Sequence, residues 1–180
     1  MKKVKIEKAL TFIEPGPLLL LTTFDGQKNN VMPLSWAMPL DFDGRFALCT
    51  GPWNYSFGAL RKQKECVLCV PGPALLKTAV KLGMESGEDT DKFKKFSLRT
   101  LPASQVKAPL LADCAACVEC RVERFWQAYG IFVLKALQAW ENPSCADGRM
   151  VHAVGDGTFR ADGEKFNLRR LMKAKLPPGL

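Results

Sequence analysis

The chain has 180 residues, 47% hydrophobic and 24% charged, which is an ordinary globular balance. It is long enough for one sizeable core and too short for two comfortable ones, so a single domain over 1–180 is expected. Lys and Arg number 26 against 18 Asp and Glu, a net charge of +8 that suits anionic partners. The basic residues are spread along the chain and not arrayed with aromatics, which argues against nucleic acid.

The first residues, MKKVKIEKALTFIEPGPLLLLTT, are basic and then apolar. The run PLLLL is too short for a signal peptide, and Glu7, Glu14 and two prolines interrupt its approach. No apolar run nears the roughly 18 residues of a membrane span, so a cytoplasmic protein with no membrane partner is expected. LLLLTTF (18–24) reads as a buried strand and DGQKNN (25–30) as a turn. VMPLSWAMPLDF (31–42) is extended, but Pro33 and Pro39 cannot donate to a ladder, so it belongs at an edge or bulge. DFDG (41–44) is a turn and RFALCT (45–50) another buried strand.

GPWN (51–54) breaks the pattern, and Asn54 is placed to cap a helix over YSFGALRKQK. ECVLCV (65–70) is a strand. Pro73 suits the first turn of a helix reaching about Leu82, with Gly83 as its C-cap. DKFKKF (91–96) predicts a short helix capped by Asp89 or Thr90. Strands follow at about 116–126, 131–140 and 151–160, the last with a GDG turn. FVLKALQAW favours helix by propensity, but the Tyr129–Gly130 turn after a strand makes it the second arm of a hairpin. FNLRRLMKAK in the tail reads as a basic helix stopped by PPG. Strands outnumber helices without strict alternation, which predicts a mainly β fold, a β-barrel with peripheral helices.

The seven cysteines are an odd number with no secretory signal, so no disulfide framework is expected. Cys66 and Cys69 form CxxC, and Cys114, Cys117 and Cys120 form CxxCxxC, the spacing of many metal sites. ECVLCV and CVECRVERF both read as strands, where residues three apart face opposite ways, and neither cluster has a glycine knuckle. They read as small buried hydrophobes and no metal is expected. SGEDTD lacks the alternating oxygens and final Glu of a calcium loop.

Nucleotide-loop, nucleophile-elbow and zinc-protease motifs are missing, and His152 is the single histidine. A chain this poor in acid–base groups leaves hard chemistry to a cofactor. A flat, anionic one would find backbone N–H groups at the Asn54–Tyr55–Ser56 helix start, unpaired backbone beside Trp36, and Ser86, Gly87 and Lys92 in the loop SGEDTDK.

The order NVMPLSWAMPL, GPWNYSFGAL, SGEDTDKF, APLLADCAACVECRV and VHAVGDGTF resembles the flavin reductase-like, FMN-binding split-barrel family, of the flavoredoxin type, over about residues 17–166. The resemblance implies a split barrel, a homodimer, noncovalent FMN and electron exchange with NAD(P)H or a redox partner. It places Asn30, Met32 and Trp36 along the flavin, and Ser35, Cys49, Thr50 and Gly51 lining the ring. Asn54, Tyr55 and Ser56 would hold the phosphate, Ser86, Asp91 and Lys92 would close the site, and Phe159 would cover the ring. His152 is a substrate-side candidate. On that footing, replacing Lys92 with Met is expected to release FMN and leave folding intact. Trp53 departs from the pattern by its bulk, which leaves room for an electron carrier without efficient NAD(P)H turnover. A basic β-barrel that binds nucleic acid is the alternative from another class.

Overall fold

The computed structural model describes residues 16–145 and 147–170. Among the described residues, twelve strands and three α-helices follow in order. Strands β1 (Gly16–Pro17), β2 (Leu19–Phe24), β3 (Asn29–Leu34), β4 (Ala37–Pro39) and β5 (Arg45–Cys49) lead to helix α1 (Ser56–Gln63). Strand β6 (Glu65–Val70) is followed by a 3-10 turn (Pro73–Leu75), α2 (Leu76–Gly83) and α3 (Lys92–Lys95). The short strands β7 (Thr100–Leu101) and β8 (Leu110–Leu111) precede the long hairpin β9 (Ala116–Trp126) and β10 (Ile131–Glu141). The strands β11 (Val151–Ala153) and β12 (Phe159–Ala161) close the series.

Seven strands form one antiparallel sheet in the order β3-β2-β6-β9-β10-β5-β4, curled into a half-barrel. β1, β11 and β12 form a smaller sheet, and β7 pairs β8. The fold is mainly β, as expected. The two proline-bearing strands of the seven-stranded sheet stand at its edges, β3 with Pro33 at one end and β4 with Pro39 at the other, where a missing N–H breaks no ladder.

The unbroken apolar run of β2 has a direct cause. Its two faces meet two separate cores. Leu18 and Leu20 pack with Val31, Val67, Ala79, Leu82 and Val151 in one. Leu19 and Leu21 pack with Leu48, Leu60, Leu68, Phe132 and Leu134 in the other, inside the curl and closed by α1. The cysteines divide in the same way. Cys69, Cys114 and Cys117 belong to the first core, and Cys66 and Cys120 to the second. Within β6 and β9 the paired cysteines, Cys66 with Cys69 and Cys117 with Cys120, do point to opposite faces, while Cys114 precedes β9 and shares the first core with Cys117. Burial pushes the Cys69 thiol up, so that sulfur stays protonated in its apolar surroundings. Among the described residues no group of three or more His, Cys, Asp and Glu is arranged to hold a metal ion, and no helix is long and apolar enough to cross a membrane.

FVLKALQAW lies in β10, despite its helical composition. Phe132 and Leu134 alternate into the core, and the strand pairs with β9 and β5 at once. Tertiary pairing overrides propensity there. Four local expectations need correction. The 25–30 turn ends at residue 28, because Asn29 and Asn30 already pair with Phe24 and Thr23. Asn54 is not the cap of α1: Tyr55 holds that position, and the Asn54 amide turns back to donate to Thr50 Oγ1 at 3.0 Å. Gly83 is the last helical residue of α2 and Met84 its C-cap. α3 is capped by Asp91 and not by Asp89 or Thr90, since the Asp91 carboxylate accepts the Lys94 N–H at 3.1 Å. Of the tail helix expected over 166–175, residues 166–168 carry no regular structure and 169–170 a turn. The remainder lies outside the described residues.

Candidate functional site

The site is built at the β3 edge of the large sheet, where α2, α3 and the loop between them meet the start of α1. A cavity of about 310 Å³ opens there. Its walls carry Asn30 and Met32 from β3, Asn54 and Tyr55 before α1, Ser86 in the loop and Lys92 at the start of α3. Four separate stretches of sequence thus supply six of the expected residues. Pro33, Trp53, Leu82, Gly83, Met84, Glu85 and Gly87 complete the wall.

Lys92 is the most constrained of these groups. It is only 4% exposed, and its ammonium donates to the Val31 carbonyl at 3.0 Å and the Leu82 carbonyl at 2.8 Å. Each acceptor has a reason to be there. Val31 sits on an edge strand, and Leu82 lies in the last turn of α2, where carbonyls lack helical partners and the dipole favours a cation. The ammonium has three donors, so one remains for another acceptor. Burial pushes the Lys92 pKa down, and Glu85 nearby pulls it partly back. Glu85 itself is engaged with Lys95 at 2.6 Å, which holds its carboxyl below the ordinary value.

Asn30 is 5% exposed, and its amide donates to Ser56 Oγ at 2.8 Å, which also accepts from Thr23 Oγ1 at 3.2 Å. Ser56 therefore positions Asn30 from the buried side. A Cβ on Gly87 would lie 2.2 Å from Asn30 Oδ1 and 2.7 Å from the Tyr55 ring, so only glycine allows the loop this close. Lys28 fastens that loop from outside. Its ammonium donates to the Gly87 carbonyl at 2.8 Å and the Glu88 carbonyl at 3.2 Å, and stands 4.9 Å from the Tyr55 ring centre. The Tyr55 hydroxyl donates to Asp25 at 3.3 Å. Backbone N–H groups of Lys28 and Gln27 on the Asp25 carboxylate, helped by Tyr55, hold its pKa down.

The other expected residues divide by position. Gly51 adjoins the cavity through Trp53, whose ring lies against it. Thr50 is buried and holds Asn54, and its N–H donates to the Gly130 carbonyl at 3.0 Å. Cys49 N–H donates to the Trp36 carbonyl at 2.9 Å, and Ser35 precedes Trp36 in the β3–β4 link, so these three lie beyond the cavity along β4 and β5. Asp91 faces a different, 460 Å³ cleft that also includes Lys28. Phe159 and His152 lie apart on the small sheet. Phe159 packs against the first core, and His152 pairs with Asp162 at 2.8 Å. Sequence reasoning missed Lys28, Met84 and Glu85 as parts of the site. Lys28 is an ordinary turn lysine, and nothing local marks it.

The donors and surfaces suit a flat, anionic cofactor. One buried ammonium faces the cavity, amide and hydroxyl groups line it, glycine allows close approach, and Trp53 and Met32 supply apolar surface. Residues 13–157 match the family model described as flavin reductase like domain. The chain belongs to the flavin reductase-like family. It is 26% identical over 174 residues to the uncharacterized protein YddH of Escherichia coli K12, covering 91% of this chain and 86% of that one. Flavoredoxin of Desulfovibrio vulgaris (Miyazaki F) superposes with a TM-score of 0.83 at 22% identity, over 93% of this chain and 96% of that one. An FMN-binding domain of a flavin reductases-like enzyme from Shewanella baltica OS155 gives 0.78 at 23% identity, over 91% and 95%. The half-barrel is thus the split-barrel fold of these FMN-binding proteins.

Proposed function

We propose that this flavin reductase-like protein, one domain over 1–180, binds FMN and passes electrons between NAD(P)H or a redox partner and the flavin. The observation that carries the reading is the meeting of Asn30, Met32, Asn54, Tyr55, Ser86 and Lys92 around one cavity in a chain of this family. FMN, when bound, supplies the acceptor for hydride or single electrons. Lys92 offers its remaining donor to an anionic oxygen of the cofactor. Asn30, fixed by Ser56, and Ser86 offer polar edges, while Trp53 and Met32 exclude water from one side of the ring. Ser35, Trp36, Cys49, Thr50 and Gly51 extend the seat along β4 and β5.

A second copy completes the site in this reading. The cavity of about 310 Å³ is at the low end of the range for ligand pockets, about 300–1,000 Å³. Beside it, the outer face of β4, β5 and β10 carries Met38, Ala47 and Val133 in register, with Trp126 and Tyr129 exposed nearby. Such a face suits a homodimer. The protein acts in the cytoplasm in this reading.

The test is the visible spectrum of the purified protein, titrated with FMN and then given NADH without oxygen. Saturable uptake of FMN with a perturbed flavin spectrum supports the reading, and no uptake sinks it. Bleaching by NADH at catalytic rates identifies a reductase. Tight FMN binding with negligible bleaching identifies an electron carrier, which the bulk of Trp53 at the cavity favours.

A further inference from the structure

The turn 51–54 closes through the Asn54 N–H, which donates to the Gly51 carbonyl at 3.0 Å, and it puts Pro52 and Trp53 at the corners. The Trp53 side chain folds back across the start of its own turn. A Cβ at Gly51 would lie 2.1 Å from the ring, so glycine is what gives the indole this seat. The ring lines the 310 Å³ cavity, yet Trp53 is 72% exposed. Met84 reaches the same cavity from the end of α2 and is 81% exposed. Neither residue belongs to either core.

The cavity is therefore polarised. Its buried end has Lys92 and Asn30, and its exposed end has an indole and a thioether from two different loops. An exposed indole gains little from folding, and a flat ring laid on it would remove much of its surface from water. The ligand that fits has an anionic or hydroxyl-bearing part for the buried end and a planar aromatic part for the mouth.

We propose that Trp53, assisted by Met84, is a stacking clamp for the isoalloxazine ring and sets how tightly this protein holds FMN. The inference rests on the FMN reading above and adds to it the residues that select a planar ring. The clamp acts by contact with the cofactor and leaves the fold untouched, because Trp53 supports no core. Aromatic contact also quenches flavin emission, which gives a signal that a structural role would not move.

The experiment titrates FMN into the full chain and into Trp53→Ala, Trp53→Leu, Trp53→Phe and Met84→Ala, following flavin fluorescence, with thermal midpoints in parallel. Trp53→Ala and Trp53→Leu are expected to lose about tenfold or more in affinity. Their bound flavin becomes brighter, and their FMN-free midpoints stay at the parent value. Trp53→Phe keeps most of the affinity, and Met84→Ala loses a few-fold. Parental affinity and quenching in Trp53→Ala would overturn the clamp while the flavin reading stands. Equal affinity in Trp53→Leu and Trp53→Phe would overturn stacking as its basis. Failure of the parent chain to take up FMN would overturn the flavin reading, and the clamp with it.

Discussion

Lys92 shows how one side chain can serve both fold and site. Its ammonium joins the β3 edge to the end of α2 through the Val31 and Leu82 carbonyls. The expectation that Lys92→Met leaves folding intact therefore does not survive the structure. The substitution leaves two carbonyls without their donor, at a cost of roughly 1–3 kcal/mol, read by urea unfolding. It should also weaken FMN by about ten- to a hundredfold, read by fluorescence titration, since a charge-assisted bond is lost. The depressed Lys92 pKa gives a pH dependence whose sign is definite. The protonated ammonium holds an anion and the neutral amine does not. FMN affinity should be full below the lowered pKa and fall as pH rises through it, earlier than the ordinary 10.5 of lysine would allow. In Lys92→Met this fall disappears. Gly87 makes the second residue-scale prediction. Its Cα lies where a methyl would strike Asn30 Oδ1, and Asn30 cannot retreat because Ser56 and the strand hold it. Gly87→Ala should cost about 1–3 kcal/mol and weaken FMN, with Gly58→Ala, which meets open space inside α1 and should stabilise slightly, as the control.

At the scale of elements, the segment around Ser104 and Gln105 is anchored by one carboxylate. Glu119, fully buried on β9, accepts from the Ser104 and Gln105 backbone N–H groups, the Ser104 hydroxyl and the Trp140 indole at 2.6–3.1 Å. Burial alone would push its pKa up, but these hydrogen bonds together outweigh that and leave it lowered. The folded pKa is thus below the unfolded one. The stabilisation is present above the ordinary carboxylate value of 4.5 and is lost as pH falls through the folded value. Glu119→Ala should destabilise by about 1–3 kcal/mol, because four partly buried hydrogen bonds lose their acceptor. The same variant should flatten the acid limb of a pH–stability curve below about pH 4.5. Along β9, Val118, Cys120 and Val122 alternate with Glu119, Arg121 and Glu123, and by period alone Glu119 shares the face of the exposed Arg121 and Glu123. Burial of Glu119 depends on a loop arriving from elsewhere in the chain, which alternation cannot reveal.

For the whole molecule, the curled sheet buries both faces of β2 and β6 but only one face of its β10–β5–β4 half. Analytical ultracentrifugation should give a dimer for the parent chain. Met38→Glu, placed on that outer face opposite Ala47, should shift it towards monomer and weaken FMN in parallel. A monomeric parent at micromolar concentration would remove the second copy from the proposal while leaving the cavity and its residues as described.

The sequence by itself determined the main strands of the large sheet, the place of Pro33 and Pro39 at its edges, the burial of the β6 and β9 cysteines as small apolar residues and the resemblance that led to the family. Each depends on local period, on backbone chemistry or on ordered motifs, which a linear text carries. The tertiary structure decided which side chains meet. It buried Lys92 between two carbonyls, turned Asn54 away from the cap, made Ser56 a support for Asn30, set Lys28 over the loop and sent Phe159 and His152 to the small sheet. Those outcomes depend on the packing of segments distant in the chain, where the burial of one group is set by the arrival of another.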